Sequence, residues 1–313
     1  MKFKQKIEEL REKIIREITP LVKTDYVLLD LPYHSNIGDI LIWEGEESFL
    51  KTLSSKCLGR FSSDTFYDSE LITSETTIFL HGGGNFGDIW PKHQKFRLNV
   101  IQQYKQNPII IFPQTVSYSD VSQIEKEAAK LAEHKKLTIC ARDQRSFDLL
   151  KKYFTNNILM LPDMAFCIDT QILREYDRPI GEKQLFLMRN DKELSHAYNY
   201  KQFVGGEENM DVKDWPTKQR GNLMHKVMTR PIHPRFPFKN FTDYYAYNIY
   251  RKYLVKKGVS FLSTYKYIYT TRLHGAILSV LLHKPLTFLD NSYGKNKGFY
   301  DTWLSELEDV KFL

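Results

Sequence analysis

Apolar residues along this chain fall into short runs separated by longer amphipathic stretches. Runs rich in aromatic and β-branched residues at Tyr26 to Leu31, Thr77 to Leu80, Pro108 to Phe112, Leu137 to Cys140 and Ile158 to Leu161 read as strands. The segments between them, Ile40 to Leu53, Ser122 to His134 and Gln144 to Tyr153, carry helical spacing. A second set of strand-like runs begins at Gln184 to Arg189 and resumes near Phe261, at Tyr265 to Thr270 and at Pro285 to Leu289; an apolar helix is predicted over Ala276 to His283. Such alternation predicts mostly parallel sheets wrapped by helices, an α/β fold. Near Asp169 to Glu182, Asp, Arg, Pro and Gly cluster, so two Rossmann-like α/β domains are expected, 1–175 and 176–313, facing a cleft, with the last helix packing back on the first domain.

The length of 313 residues agrees with two domains of roughly 150 residues each. Met1 to Thr19 alternates charges with Phe3, Ile7, Leu10, Ile14 and Ile18, an amphipathic helix too charged for a signal peptide. No run approaches the roughly 18 apolar residues of a membrane span. Cys57, Cys140 and Cys167 lie far apart without a C-x-x-C pair, which excludes a disulfide framework or zinc site as the organising feature and makes a cytoplasmic location the simplest expectation.

Charge narrows the partners. The formal net charge is +7 and the pI is near 9.0, which points to phosphorylated small molecules, nucleic acid or an anionic membrane surface. Nucleic acid is disfavoured because the basic residues form no recognised binding motif and the glycine turns would go unexplained. From Thr217 to Thr242 there is no Asp or Glu, while Lys218, Arg220, Lys226, Arg230, Arg235 and Lys239 are present. This segment reads either as a solvated loop or as a basic segment that meets an anionic acceptor or lipid headgroups. Tyr244, Tyr245, Tyr247, Tyr250 and Tyr253 follow; most should pack, and one or two could stack on a sugar ring.

Candidate chemistry sits at the strand ends. Thr271-Arg272-Leu273-His274-Gly275 follows a strand and precedes a helix, the ligand-binding edge of an open α/β sheet, where free N–H groups and the helix dipole favour an anion. The cluster Asn291-Ser292-Tyr293-Gly294-Lys295-Asn296-Lys297-Gly298 follows the next strand. In the first half, Gly82-Gly83-Gly84-Asn85 follows a strand, with His81 and Asp88 flanking it; three residues without Cβ atoms let backbone N–H groups approach a ligand. Asn36-Ile37-Gly38-Asp39 precedes a helix that Asp39 could cap, or Asp39 could orient or deprotonate an acceptor hydroxyl. Asp143 could likewise cap a helix while Arg142 points into the cleft; Pro162-Asp163-Met164-Ala165 ends the next strand.

Taken together, N-I-G-D at 36–39, G-G-G-N at 82–85, P-Q-T at 113–115, A-R-D-x-x-S-F at 141–147, P-D-M-A at 162–165, R-x-D at 189–191, T-R-L-H-G at 271–275 and D-N-S-Y-G-K-N at 290–296 resemble the polysaccharide pyruvyl transferase family. The resemblance implies a two-domain architecture similar to the GT-B glycosyltransferases. It also implies transfer of the pyruvyl unit of phosphoenolpyruvate onto two hydroxyls of a cell-surface or exopolysaccharide sugar as a cyclic ketal, with release of phosphate. It makes Arg272, Leu273 and His274 the core of the donor site, with Gly275, Ser292, Lys295 and Lys297 beside them and Arg142 and Arg189 as rival further donor contacts. Asn36, Gly38, Gly82, Gly83, Gly84 and Asn85 fall on the acceptor side.

Such a donor needs Arg for its planar carboxylate and Lys for its phosphate. His274 is the expected acid, because an imidazole titrates near working pH, and Asp39 or Asp143 the expected base. Phosphoenolpyruvate is then a substrate, and the scheme calls for no cofactor and no metal. The acceptor, free or lipid-linked, stays open, as does work at the inner face of a membrane. The rival activity is a glycosyltransferase using a nucleotide sugar, which the same two-domain chain would also serve.

Overall fold

The computed structural model describes residues 1–66, 70–189, 209–218, 223–290 and 295–313. Two parallel sheets carry the fold. The first holds β1 (Tyr26–Leu29), β2 (Cys57–Arg60), β3 (Thr77–Leu80), β4 (Gly83–Phe86), β5 (Ile109–Val116), β6 (Leu137–Ala141) and β7 (Asn157–Met160), in the order β2-β1-β3-β5-β6-β7 with β4 pairing β5. The second holds β8 (Gln184–Leu187), β9 (Met210–Lys213), β10 (Tyr267–Thr270), β11 (Leu286–Phe288) and β12 (Val310–Phe312), ordered β12-β11-β10-β8-β9. Every residue of β1, β3, β5 and β6 is buried, as expected of strands covered by helices on both faces.

Both orders reverse direction once. In the first sheet the chain steps from β1 outward to β2, then returns to place β3 on the other side of β1; in the second it steps from β8 to β9 and returns to β10. Crevices outside the carboxyl ends of strands at such reversals are where open α/β sheets bind ligands. The segments after β1 and β3, including the first turn of the Ile37–Leu50 helix, carry Asn36, Asp39, His81 and Gly82. The segments after β8 and β10, including the first turn of the Leu273–Leu281 helix, carry Arg189, Arg272 and His274.

Packing joins these edges. One core runs from Leu28 and Ile110 in the first sheet through Ile40 and Leu41 of the Ile37–Leu50 helix to Leu185, Ile268 and Phe288 in the second. The other face of the first sheet has its own core, including Val27, Ile78, Ile111 and Ile139. The Phe3–Ile18 helix buries its apolar stripe, and Phe3 stacks on His283 at 6.0 Å. At the far end, Trp303 Nε1 donates to the carbonyl of Arg142 at 2.8 Å, and Phe299 stacks on Phe166. The 175/176 division falls in the last turn of the Thr170–Tyr176 helix.

Several expected boundaries move. The helix after β10 begins at Leu273 and not Ala276, so His274 and Gly275 stand in its first turn with Arg272 at the N-cap. The helix after β1 begins at Ile37, and its cap is Asn36, whose Oδ1 accepts from Gly38 N at 3.1 Å; Asp39 lies inside the first turn and does not cap. Asp143 does cap, accepting from Ser146 N at 2.8 Å. Strands β2, β4, β9 and β12 and the Pro91–Gln103 helix lie outside the sequence-predicted elements. The acid-free segment is no plain loop: it contains the Leu223–Thr229 helix and the start of the Lys239–Tyr245 helix. Of its following tyrosines, Tyr245 and Tyr250 are buried, and Tyr247 lies under the guanidinium groups of Arg60 and Arg251. Tyr244 is exposed.

Candidate active site

His274 is brought to the first sheet by a missing side chain. A Cβ on Gly38 would stand 2.6 Å from His274 Nδ1, so the imidazole seats on the backbone of the Ile37–Leu50 helix only because residue 38 is glycine. The other ring nitrogen, Nε2, lies 3.4 Å from Oδ2 of Asp163, at the end of β7. That is an ion-pair distance without hydrogen-bond geometry, and among the described residues this buried nitrogen has no hydrogen-bond partner.

Asp163 is the hub beneath it. Its Oδ2 also accepts from Arg142 Nη1 at 2.6 Å, and its Oδ1 accepts from Ala165 N at 2.9 Å. Complete burial works to raise this carboxyl, but His274, Arg142 and the Ala165 N–H outweigh it and hold Asp163 well below its ordinary value. Arg142 is oriented further by donating from Nε to Thr115 Oγ1 at 2.9 Å; that hydroxyl donates to Asp143 Oδ2, also at 2.9 Å. A Cβ on Gly84 would stand 3.1 Å from Arg142 Nη2, so Arg142 abuts the glycine segment. The segment itself is partly committed. Gly82 N donates to Glu46 Oε1 at 2.8 Å, Gly83 (φ 126°) opens β4, and Asn85 accepts from the fully buried Arg97 at 2.6 Å. It is therefore a strand edge pinned from both sides and not a free phosphate-type loop.

Asp39 faces the same region. Its Oδ2 accepts from Asn36 Nδ2 at 2.7 Å and lies 3.6 Å from His34 Nε2, and its side chain is 28% exposed. Desolvation pushes its carboxyl up, but His34, His274 and His81 together pull it below the usual value. On the helix, Asp39, Ile42 and Glu46 fall on one face, turned toward Gly82 and Gly83. Glu46 holds His81 Nδ1 at 2.8 Å in a buried pair. Desolvation opposes a charge on each member and raises Glu46, while the carboxylate of Glu46 outweighs desolvation at His81 and raises it.

In the second sheet, Arg272 binds Asp214 in a two-pronged pair, Nε to Oδ1 at 2.5 Å and Nη2 to Oδ2 at 2.6 Å, with both side chains buried. Its backbone N–H donates to Thr270 Oγ1 at 3.0 Å, and Gly275 packs on Thr270 and Leu187. Leu273 is half-buried as the first residue of the helix. Arg189, half-buried, donates its backbone N–H to Thr271 Oγ1 at 3.3 Å. The Leu273–Leu281 helix has no side-chain cap, so its first-turn N–H groups face the junction together with the His274 ring.

His274, Asp39, Gly38, Arg142 and the glycine segment are thus brought together, and Asn36 supports them through Asp39. Lys297 is turned elsewhere: it pairs with Asp301 at 2.5 Å and lies over the ring of Phe312 on the edge strand. Lys295 opens the short helix that carries Lys297, and Ser292 lies outside the described residues. Asp163, Thr115 and Asp214 hold the site without having been assigned a role from sequence. P-D-M-A and P-Q-T flagged the first two by motif. Asp214 stood in a stretch with no readable pattern.

The comparisons agree with one another. The sequence profile of the family described as polysaccharide pyruvyl transferase matches residues 36–293. EpsO of Bacillus subtilis, named as a candidate pyruvyl transferase, is 29% identical over 99% of this chain and 93% of its own length. Pyruvyl transferase 1 of Schizosaccharomyces pombe is 27% identical over 88% of this chain and 69% of its own. The fold is shared with the crystal structure of a functionally uncharacterized protein from Klebsiella pneumoniae, with a TM-score of 0.65 and 22% identity over 97% of this chain and 98% of that one. None of these matches favours a nucleotide-sugar enzyme, and the matched span takes in Asn36, Asp39, the glycine segment, Asp163, Asp214, Arg272 and His274. The chain belongs to the polysaccharide pyruvyl transferase family.

Proposed function

We propose that this enzyme transfers the pyruvyl unit of phosphoenolpyruvate to two hydroxyls of a polysaccharide-precursor sugar as a cyclic ketal, in a GT-B-like cleft between two α/β domains. The observation that carries the reading is the His274 ring: seated on Gly38, with Nε2 3.4 Å from the Asp163 carboxylate, in the first turn of a helix without a side-chain cap. An imidazole so placed can hand a proton to a substrate carbon while the helix N–H groups face an anion.

In the proposed step His274 protonates the methylene carbon of phosphoenolpyruvate, and the electron pair of the double bond forms the new C–H bond. A sugar hydroxyl, losing its proton to Asp39, attacks the adjacent carbon. The phosphate then leaves with its bonding pair and takes up the proton held by Asp39; the second hydroxyl closes the ketal, and its proton passes to His274, which restores the acid. Arg142 and Arg189 supply positive charge to the donor. Arg272, already matched by Asp214, contributes chiefly by fixing the strand-to-helix junction from which His274 projects.

Incubation with phosphoenolpyruvate and a panel of glycosides, free and lipid-linked, tests the reading. Phosphate release matched by a pyruvate-sized mass gain on the sugar is the expected result. Release of phosphate without that gain, or gain from a nucleotide sugar alone, overturns it.

A further inference from the structure

Among the described residues, six large exposed apolar side chains lie on or just before two neighbouring helices. On the Leu223–Thr229 helix, Leu223, Met224 and Val227 are exposed; on and just before the Lys239–Tyr245 helix, Phe238, Phe241 and Tyr244 are exposed, Phe238 at 67%. The two helices form one unit. Tyr245 Oη donates to the Met228 carbonyl at 3.1 Å, Thr242 Oγ1 donates to the Pro231 carbonyl at 2.9 Å, and Phe236 packs against both Phe238 and Phe241. Thr242 and Tyr245 of the second helix and Ile232 in the connection are buried, so the outward rings of Phe238, Phe241 and Tyr244 belong to a packed element and are not leftovers of a frayed segment. Large exposed apolar side chains grouped on one folded unit in this way mark a candidate interaction face.

Its charge chooses the partner. Lys226, Arg230 and Arg235 are exposed on the same stretch, and among the described residues none of them forms an ion pair. No acidic residue occurs between Thr217 and Thr242. Aromatic and aliphatic side chains ringed by unmatched cations complement a surface with anionic headgroups above an apolar interior. The face also adjoins the acceptor side of the site: Tyr33 Oη donates to Asp243 Oδ1 at 2.8 Å, and the next residue, His34, reaches Asp39.

We propose that the face built from the Leu223–Thr229 and Lys239–Tyr245 helices docks on an anionic lipid bilayer. The inference extends the proposed function, in that a lipid-linked sugar would be met on the Asp39 side of the site. Its test involves no substrate, so the two can fail separately.

The full chain is sedimented with vesicles of phosphatidylcholine alone and of an equimolar mixture with phosphatidylglycerol. Binding to the mixed vesicles, and much weaker binding to phosphatidylcholine, is expected. The variant Phe238→Ser/Phe241→Ser, altered only at exposed rings, should lose most of the binding while keeping turnover of a water-soluble glycoside. Arg230→Glu/Arg235→Glu should weaken it by about fivefold or more for each charge removed. Absence of binding to the mixed vesicles overturns the proposal, as does binding that both variants retain. A concentration-dependent dimer that the Phe variant abolishes, without vesicle binding, would assign the face to a second copy of the chain instead.

Discussion

Nε2 of His274, at the start of a helix in the second half of the chain, stands 3.4 Å from Oδ2 of Asp163, at the end of a strand in the first. The contact spans two sheets, and it places the imidazole next to a carboxylate that Arg142 already holds at 2.6 Å. If His274 delivers the proton to the donor, His274→Ala should cut turnover by about 10²- to 10⁴-fold, with little change in unfolding midpoint. Loss of stability with activity per folded molecule preserved would make the residue structural.

Gly38 offers an independent handle on the same ring. A Cβ there would come 2.6 Å from His274 Nδ1, so Gly38→Ala must displace the imidazole or the helix; overpacking of this kind costs about 1–3 kcal/mol. Because the closest contacts are with the ring of one side chain, the cost should fall substantially when Gly38→Ala is made in the His274→Ala background, where only the Cβ of residue 274, 3.2 Å away, remains. A double-mutant cycle of unfolding free energies measures this. Simple additivity would mean that the ring does not rest on Gly38.

Acid should act on Asp163. Its carboxyl is held below the ordinary value in the folded protein, whereas in the unfolded chain it titrates near pH 4, roughly. A carboxylate with a depressed folded value contributes stability that is fully present above the unfolded value and is lost as pH falls through the folded one. The stability difference between the wild type and Asp163→Asn should therefore be largest at neutral pH and shrink steadily as the solution is acidified below about pH 4. Denaturant midpoints of the two proteins across the acid range give the answer; a difference independent of pH would show that the carboxylate is not stabilised by its neighbours.

How much of this was legible depends on which force fixed each residue. Buried strands such as Thr77–Leu80 announce themselves because both faces are covered and every side chain is apolar. Edge strands do not: Cys57–Arg60 has no fully buried residue, Met210–Lys213 likewise, and neither shows a pattern that composition alone would single out. Capping chemistry was readable to within a choice between neighbours, since Asn36 and Asp39 are both good caps and only the helix start at Ile37 decides between them. Arg272 and His274 were visible as a strand-end motif. Their partners Asp214 and Asp163 are distant in sequence and are set by tertiary packing, which no local spacing encodes. Lys297 shows the converse: a lysine near the motif in sequence whose nearest carboxylate, Asp301 one helical turn on, claims it first.

The Arg272–Asp214 pair separates stability from function at this site. Both side chains are nearly inaccessible, so the pair was desolvated on folding, and its two hydrogen bonds compensate that cost only while both partners are present. Asp214→Asn keeps the shape but removes a countercharge from a buried guanidinium, and should destabilise the fold by up to about 3–5 kcal/mol. The double variant Arg272→Met/Asp214→Leu replaces charge with apolar surface of comparable size, and should recover most of that loss, since a buried ion pair is often no more stabilising than well-packed hydrophobic residues. If Arg272 also helps to seat the donor, the double variant will be folded yet will require far more phosphoenolpyruvate for half-maximal rate. Paired measurement of unfolding free energy and of KM on the three proteins resolves the two effects. A double variant as unstable as Asp214→Asn would contradict the account of the pair; one that is stable and unchanged in KM would confine Arg272 to holding the turn from which His274 projects.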